Sequence, residues 1–163
     1  MEILWVGIGL TLLVSVLWTQ FIGAPWVPSS MPIVHKMLRL AEVKPGELVV
    51  DLGCGDGRLI ITAARRYGAR AVGIEIDPLR YVWCQFAITV LGLRGQIKVV
   101  YGNLFNHDLS EADVITCFLL PETNTRLIGK FQRELRLGTR VVSNSFSFKG
   151  ISPVRRDGHA RLF

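Results

Sequence analysis

Residues 48–57 read Leu-Val-Val-Asp-Leu-Gly-Cys-Gly-Asp-Gly, and no other stretch of this chain restricts its fold as tightly. A short apolar run ends in the acid Asp51, breaks into glycines at 53, 55 and 57, and passes into the helix-forming Leu59-Ile60-Ile61-Thr62-Ala63-Ala64. That is a buried strand, a loop that lets a ligand come close to the backbone, and a helix whose free N–H groups face the ligand. The spacing excludes one familiar ligand class. A dinucleotide fingerprint, G-x-G-x-x-G, would need glycine at 58, where Arg58 stands.

The rest of the chain alternates in the same way. Apolar runs predict strands near 47–52, 70–75, 97–101, 112–118 and 139–146, with helices near 57–67, 78–92 and 122–136. Short strands separated by helices imply an α/β fold, a Rossmann-like, doubly wound and mostly parallel sheet. Residues 147–163 leave room for one abbreviated hairpin. Lys44-Pro45-Gly46-Glu47 reads as a turn, and before it Ser29 or Ser30 is expected to cap a short helix carrying Ile33, Met37, Leu40 and Ala41.

The N-terminal part is of another kind. No charged residue occurs from Ile3 to Val34, and the 20 mainly apolar positions of Ile3–Ile22 would span ~30 Å as a helix, the thickness of a bilayer's hydrocarbon. Trp5 and Trp18 stand towards its ends, as interfacial aromatics do. A signal peptide would want a basic start, and this one has Glu2; a core helix without a polar face would be unusual in so small a domain. The expected division is a transmembrane helix at 1–22, a linker at 23–30 and a domain at 31–163. Lys36, Arg39 and Lys44 follow the span, which places the domain on the cytoplasmic side. All 19 basic residues and 12 of the 13 acids lie beyond the span, a balance of +7 that suits an anionic membrane surface or an acidic partner. Cys54, Cys84 and Cys117 show no metal or disulfide spacing, so no metal is expected.

Several residues carry candidate chemistry. Glu75 ends the second strand, 24 residues after Asp51, where an acid can accept hydrogen bonds from ribose hydroxyls. Asp77 before Pro78 suits a helix N-cap. Asn103, after Gly102, offers a donor and an acceptor to a base edge, or simply a turn. Phe118-Leu119-Leu120-Pro121 follows the fourth strand, at the carboxyl ends where open α/β sheets bind ligands. Arg126, Lys130 and Arg133 share a helical face with Arg136 beside them, and a solvated face is the simplest account. His35, His107 and His159 are scattered and receive no role.

The pattern Asp51-x-Gly53-x-Gly55-x-Gly57 resembles the first motif of class I S-adenosylmethionine (AdoMet) methyltransferases. Together with Pro25-Trp26-Val27-Pro28-Ser29, Gly73-Ile74-Glu75, Gly102-Asn103-Leu104, Phe118-Leu119-Leu120 and Gly138-Thr139-Arg140-Val141-Val142-Ser143, the chain from about 24 to 146 is similar to small archaeal protein-lysine methyltransferases and to membrane-anchored mitochondrial lysine methyltransferases. The resemblance implies AdoMet as cofactor, contacted by Trp26, Ser29, Asp51, Gly53, Cys54, Gly55, Asp56, Gly57, Glu75, Ile76, Asn103 and Leu104. Asp56 would orient the methionine end. Phe118, Leu119 and Leu120 would border the substrate, a lysine of a membrane-associated protein. Nucleic acid is not expected, because the Asn/Asp-Pro-Pro-aromatic segment that holds planar nitrogens in related enzymes is missing. No obligatory catalytic base is expected. Trp26 replaces the family's usual Tyr, and the chain after Phe148 is shorter than in its relatives. Two other functions fit the same features: methylation of a lipid or quinone precursor, and AdoMet binding without catalysis.

Overall fold

The computed structural model describes Trp5 and residues 27–163. The expected anchor at Ile3–Ile22, Trp5 apart, lies outside them, as does Trp26. Among the described residues, no helix is long and apolar enough to cross a membrane.

Helix α1 (Met31–Leu40) leads into β1 (Leu48–Leu52), α2 (Arg58–Tyr67), β2 (Arg70–Glu75), α3 (Pro78–Val90) and β3 (Ile97–Tyr101). A loop with one turn of 3-10 helix (Leu104–Asn106) follows, then β4 (Val114–Cys117), α4 (Pro121–Glu134), β5 (Arg140–Asn144), β6 (Arg155–Asp157) and β7 (Ala160–Leu162). The seven strands form one sheet in the order β3-β2-β1-β4-β5-β7-β6. Strands β1 to β5 run parallel, and the three-residue strands β6 and β7 form the antiparallel hairpin at one edge. The expected sheet and its abbreviated hairpin are both present.

The central strands are apolar on both faces, as a sheet covered on both sides requires. Val49, Val114 and Val142 face the layer of α1 and α2, where Val34, Met37, Leu38, Leu59 and Ala63 meet them. One residue on, Val50, Ile115 and the neighbouring Val141 face the opposite layer with Leu127 of α4 and Phe148. Phe148 lies edge-on to both Phe131 and Phe163, with ring centroids 5.6 and 4.8 Å apart. The short tail is thereby fastened to the core.

Two expectations are corrected. Ser30 takes the N-cap position of α1 but makes no side-chain cap, and the Ser29 hydroxyl instead accepts from Asn144 Nδ2 at 3.1 Å. Lys130 is not on a solvated face: it is 4% exposed and donates to Glu134 Oε1 at 2.7 Å and to the Phe105 carbonyl at 3.1 Å. Glu134 also accepts from Leu109 N, and the Arg126 guanidinium stacks 4.4 Å from the Phe105 ring centre. No α-helix links β3 to β4, so the loop itself lies across this face of α4 and is held there by these contacts.

Close packing fixes the glycine loop against β2. A Cβ on Gly73 would stand 2.6 Å from Cys54 Sγ and 2.8 Å from both Cys54 Cβ and Ile60 Cδ1. Overpacking of this kind is costly wherever the backbone cannot yield. Gly73→Ala is therefore expected to lower stability by about 1–3 kcal/mol in urea unfolding, and Cys54→Ala in the same chain to restore part of it.

Candidate cofactor and substrate site

The carboxyl ends of β1, β2 and β4 open onto one cavity of about 390 Å³, within the range of small-molecule sites. Its floor is the loop after β1. Gly53, Gly55 and Gly57 all have positive φ, and at Gly57 a Cβ would also fall 2.3 Å from Cys84 Sγ on α3. Gly57 is not among the residues lining the cavity, and its missing side chain lets α2 begin hard against α3.

Glu75 is buried at the end of β2 and ties the site together. Its Oε2 accepts from Gly55 N at 2.8 Å, while Oε1 accepts from Ile76 N at 2.9 Å and Asp77 N at 2.8 Å. Asp77 caps α3 as expected, accepting from Arg80 N at 2.9 Å. Asp51, buried at the end of β1, accepts from Thr116 Oγ1 at 2.7 Å. Burial pushes the Asp51 carboxyl up to about 7; the Thr116 hydrogen bond opposes this, and the charges of Glu75 and Asp56 reinforce it. Two buried carboxylates beside a glycine loop form a cradle suited to a cationic or polyhydroxylated ligand.

Asp56 is engaged by Arg58, whose Nε lies 3.0 Å from both carboxylate oxygens. Burial pulls this carboxyl upwards, but the hydrogen bonds and charge of Arg58 outweigh it and hold it below its ordinary value. Arg58 also donates to the Ser29 carbonyl at 2.7 Å, so it fastens Val27–Ser30 over the loop. Val27, Pro28 and Ser29 line the cavity.

Most of the residues expected from sequence meet here. Ser29, Asp51, Gly53, Cys54, Gly55, Asp56, Glu75, Ile76, Asn103 and Leu104 all line the cavity, as do Phe118 and Leu119. Asn103 Oδ1 caps the 3-10 turn through Phe105 N at 3.0 Å, which leaves its amide nitrogen as the donor. Leu120 does not line the cavity: it takes the N-cap position of α4. Trp26 lies outside the described residues. The sequence reading missed Arg58, Arg80, Met37, Glu122 and Arg126, all of which line the cavity. Of these only Arg58 carried a signal, its place directly after the loop. The Cys54 thiol is pushed well up by its hydrogen bond with Cys84 and by burial, and that of Cys117 to about 12, chiefly by burial. Neither is an ionised nucleophile near neutrality.

Asp51 has a consequence for stability. A carboxyl whose folded-state value lies above its ordinary 3.8 favours folding fully below that value and loses the benefit as pH rises through about 7. Asp51→Asn should therefore raise the melting temperature of the ligand-free protein at pH 8, by a margin that closes as pH falls towards 4. Thermal unfolding across that range checks it.

Comparison with known proteins agrees with this geometry. Residues 51–155 match the family described as the ANTKMT methyltransferase domain. A protein-lysine N-methyltransferase of Saccharolobus islandicus is 45% identical over 130 residues, covering 79% of this chain and 81% of the relative. The adenine nucleotide translocase lysine N-methyltransferase of Mus musculus is 33% identical over 131 residues, 80% of this chain but 56% of that protein, so the chain spans little more than half the length of the animal relative. Among solved structures, an RNA methyltransferase of Salinibacter ruber in complex with S-adenosyl-L-homocysteine superposes with a TM-score of 0.79 at 39% identity, covering 83% of this chain and 90% of that one. The chain belongs to the ANTKMT methyltransferase-domain family of AdoMet-dependent methyltransferases.

Proposed function

We propose that this chain is a protein-lysine N-methyltransferase acting on membrane-associated proteins, held at the membrane by residues 1–22 with its domain on the cytoplasmic side. The observation that carries the reading is the contrast between the two sides of the cavity. Asp51 and Glu75 supply buried carboxylates, while beyond β4, on the other side of β1 from Glu75, Phe118 and Leu119 give an apolar stretch, with Glu122 and Arg126 of α4 lining the cavity next to it. Phe118 stacks on Phe146 at 6.2 Å, and Leu119 Cδ2 comes within 3.4 Å of where a Cβ on Gly53 would stand. The lysine-methylating relatives in archaea and animals support the same substrate class.

Glu75 is assigned to the ribose hydroxyls, and Asp51 with the loop to the methionine end of the cofactor. Asn103 and Leu104 flank the base. When bound, AdoMet supplies a methyl group on a sulfonium that is already a good leaving group. The amine must arrive neutral. The Phe118–Leu119 wall disfavours an ammonium and so lowers the lysine's pKa. Phe118 and Leu119 would hold the neutral amine in line with the methyl group, and the proton released on transfer would pass to solvent. Alignment and exclusion of water supply the catalysis, without a base on the protein.

The Salinibacter relative is described as an RNA methyltransferase. Phe118-Leu119-Leu120-Pro121 has no amide or carboxylate to accept from a planar base nitrogen, which favours the aliphatic amine. Membranes incubated with radiolabelled AdoMet and this protein should yield label in protein, recovered as methyl-lysine by mass spectrometry. Label in the solvent-extractable lipids would support the lipid or quinone reading, label in RNA the nucleic-acid one, and binding without transfer a non-catalytic module. Glu75→Ala should weaken S-adenosylhomocysteine binding about tenfold or more in calorimetry, since three backbone donors and the ribose all lose their acceptor. The anchor predicts that the full chain floats with membranes after carbonate and high-salt washing; release into the supernatant would refute it.

A further inference from the structure

Helix α3 is apolar on both sides. Its inner side packs Cys84 and Ile88 into the core. Its outer side carries Leu79, Val82, Trp83, Phe86 and Val90, spaced as one stripe ~17 Å long. Val82 and Val90 are 62% and 67% exposed, and Trp83 and Phe86 each 58%, their rings 6.1 Å apart. From Tyr81 to Leu93 the chain carries no charge at all. A contiguous exposed apolar stripe of this kind marks an interaction surface.

The surrounding charge indicates the occupant. From Pro78 to His107 there is no acid, and the charged residues are Arg80, Arg94 and Lys98. Arg80 lies against Asp77 at 3.9 Å, while Arg94 and Lys98 are exposed. A second copy packed stripe to stripe would bring like charges together without an acid to meet them. An anionic bilayer interface matches both features: it takes Trp, Phe and Val on one side of a helix and attracts the cations at its margin. Position agrees. Arg80, in the first turn of α3, and Val27, where the continuous described chain begins, line the same cavity. The stripe therefore starts beside the cavity that Val27 also lines.

We infer that the outer face of α3 is a membrane-contact surface, which lays the domain on anionic lipid with the cavity rim at the bilayer. It leans on the proposed anchor only for arrival at the membrane, and the two fail separately. The test uses the full chain with vesicles whose acyl chains are brominated, either phosphatidylcholine alone or with about 30% phosphatidylglycerol. Bromine quenches tryptophans that enter the hydrocarbon region, and the difference between wild type and Trp83→Phe isolates Trp83. The expected result is quenching of the Trp83 component in the anionic vesicles. That quenching should fall by at least about half in phosphatidylcholine alone or in Phe86→Glu. Phe86→Glu is exposed and should bind S-adenosylhomocysteine in detergent as wild type does, which shows that it is folded. Equal quenching of wild type and Trp83→Phe overturns the inference, even for protein that floats and so keeps its anchor. Protein that does not float but whose Trp83 is still quenched in the anionic vesicles overturns the anchor alone, and protein that neither floats nor is quenched overturns both. A dimer dissociated by Phe86→Glu, with Trp83 unquenched, would assign the stripe to a second copy and overturn it as well.

Discussion

The Glu75 carboxylate is the interaction on which this site depends. It accepts three backbone N–H groups, one from the loop after β1 and two from its own segment beyond β2. Charge-assisted hydrogen bonds of this kind are stronger than neutral ones, and a buried acceptor holds its donors in place. One side chain thus locks two loops at adjacent strand ends and faces the cavity they enclose. Gly73, two residues earlier on β2, makes the arrangement possible, because its missing side chain lets Cys54 settle over the strand. A similar economy appears at Gly57, where the sulfur of Cys84 occupies the volume a side chain would need.

A cofactor site built in this way needs few dedicated groups. Asp51 lies beneath the loop at the end of β1 and is kept from ionising freely by its burial, with Thr116 as its hydrogen-bond partner. Such a group opposes folding when charged, and a cationic ligand is what offsets that charge. Stability and binding therefore pull on this residue in opposite directions, as they often do at functional sites. On the proposed substrate side Phe118 and Leu119 line the cavity, with Phe146 stacked against Phe118 and Glu122 and Arg126 of α4 next to them, an apolar stretch that suits the alignment of a neutral amine.

Much of this is legible in the sequence, because the informative residues act locally. Asp77 before Pro78 caps a helix by rules that span four residues, and the spacing from Asp51 to Glu75 follows from one strand–helix–strand unit. What the sequence hides are contacts between distant parts of the chain. Arg126, Lys130 and Arg133 do recur with a helical period, but period alone does not reveal what covers the face. The loop from 102 to 113 lies across α4 and buries Lys130 against the Phe105 carbonyl. Ser29 has the chemistry of a cap, yet its partners are Asn144 and Arg58, which are remote in sequence. Leu120 and Gly57 lie inside motifs yet are not among the residues lining the cavity: Leu120 takes the N-cap position of α4, and Gly57 packs against Cys84.

Ser29 is bonded through both its carbonyl and its hydroxyl, to Arg58 at the start of α2 and to Asn144 at the end of β5. The cover of the cavity is therefore not a freely hinged lid but a strand of chain pinned at one residue. That residue lies just before α1, and the chain upstream of Val27 continues from the cover itself. Tension along that upstream chain would be borne by these two hydrogen bonds before it reached the sheet. Helix α2 and strand β5 thus share a single fastening at Ser29.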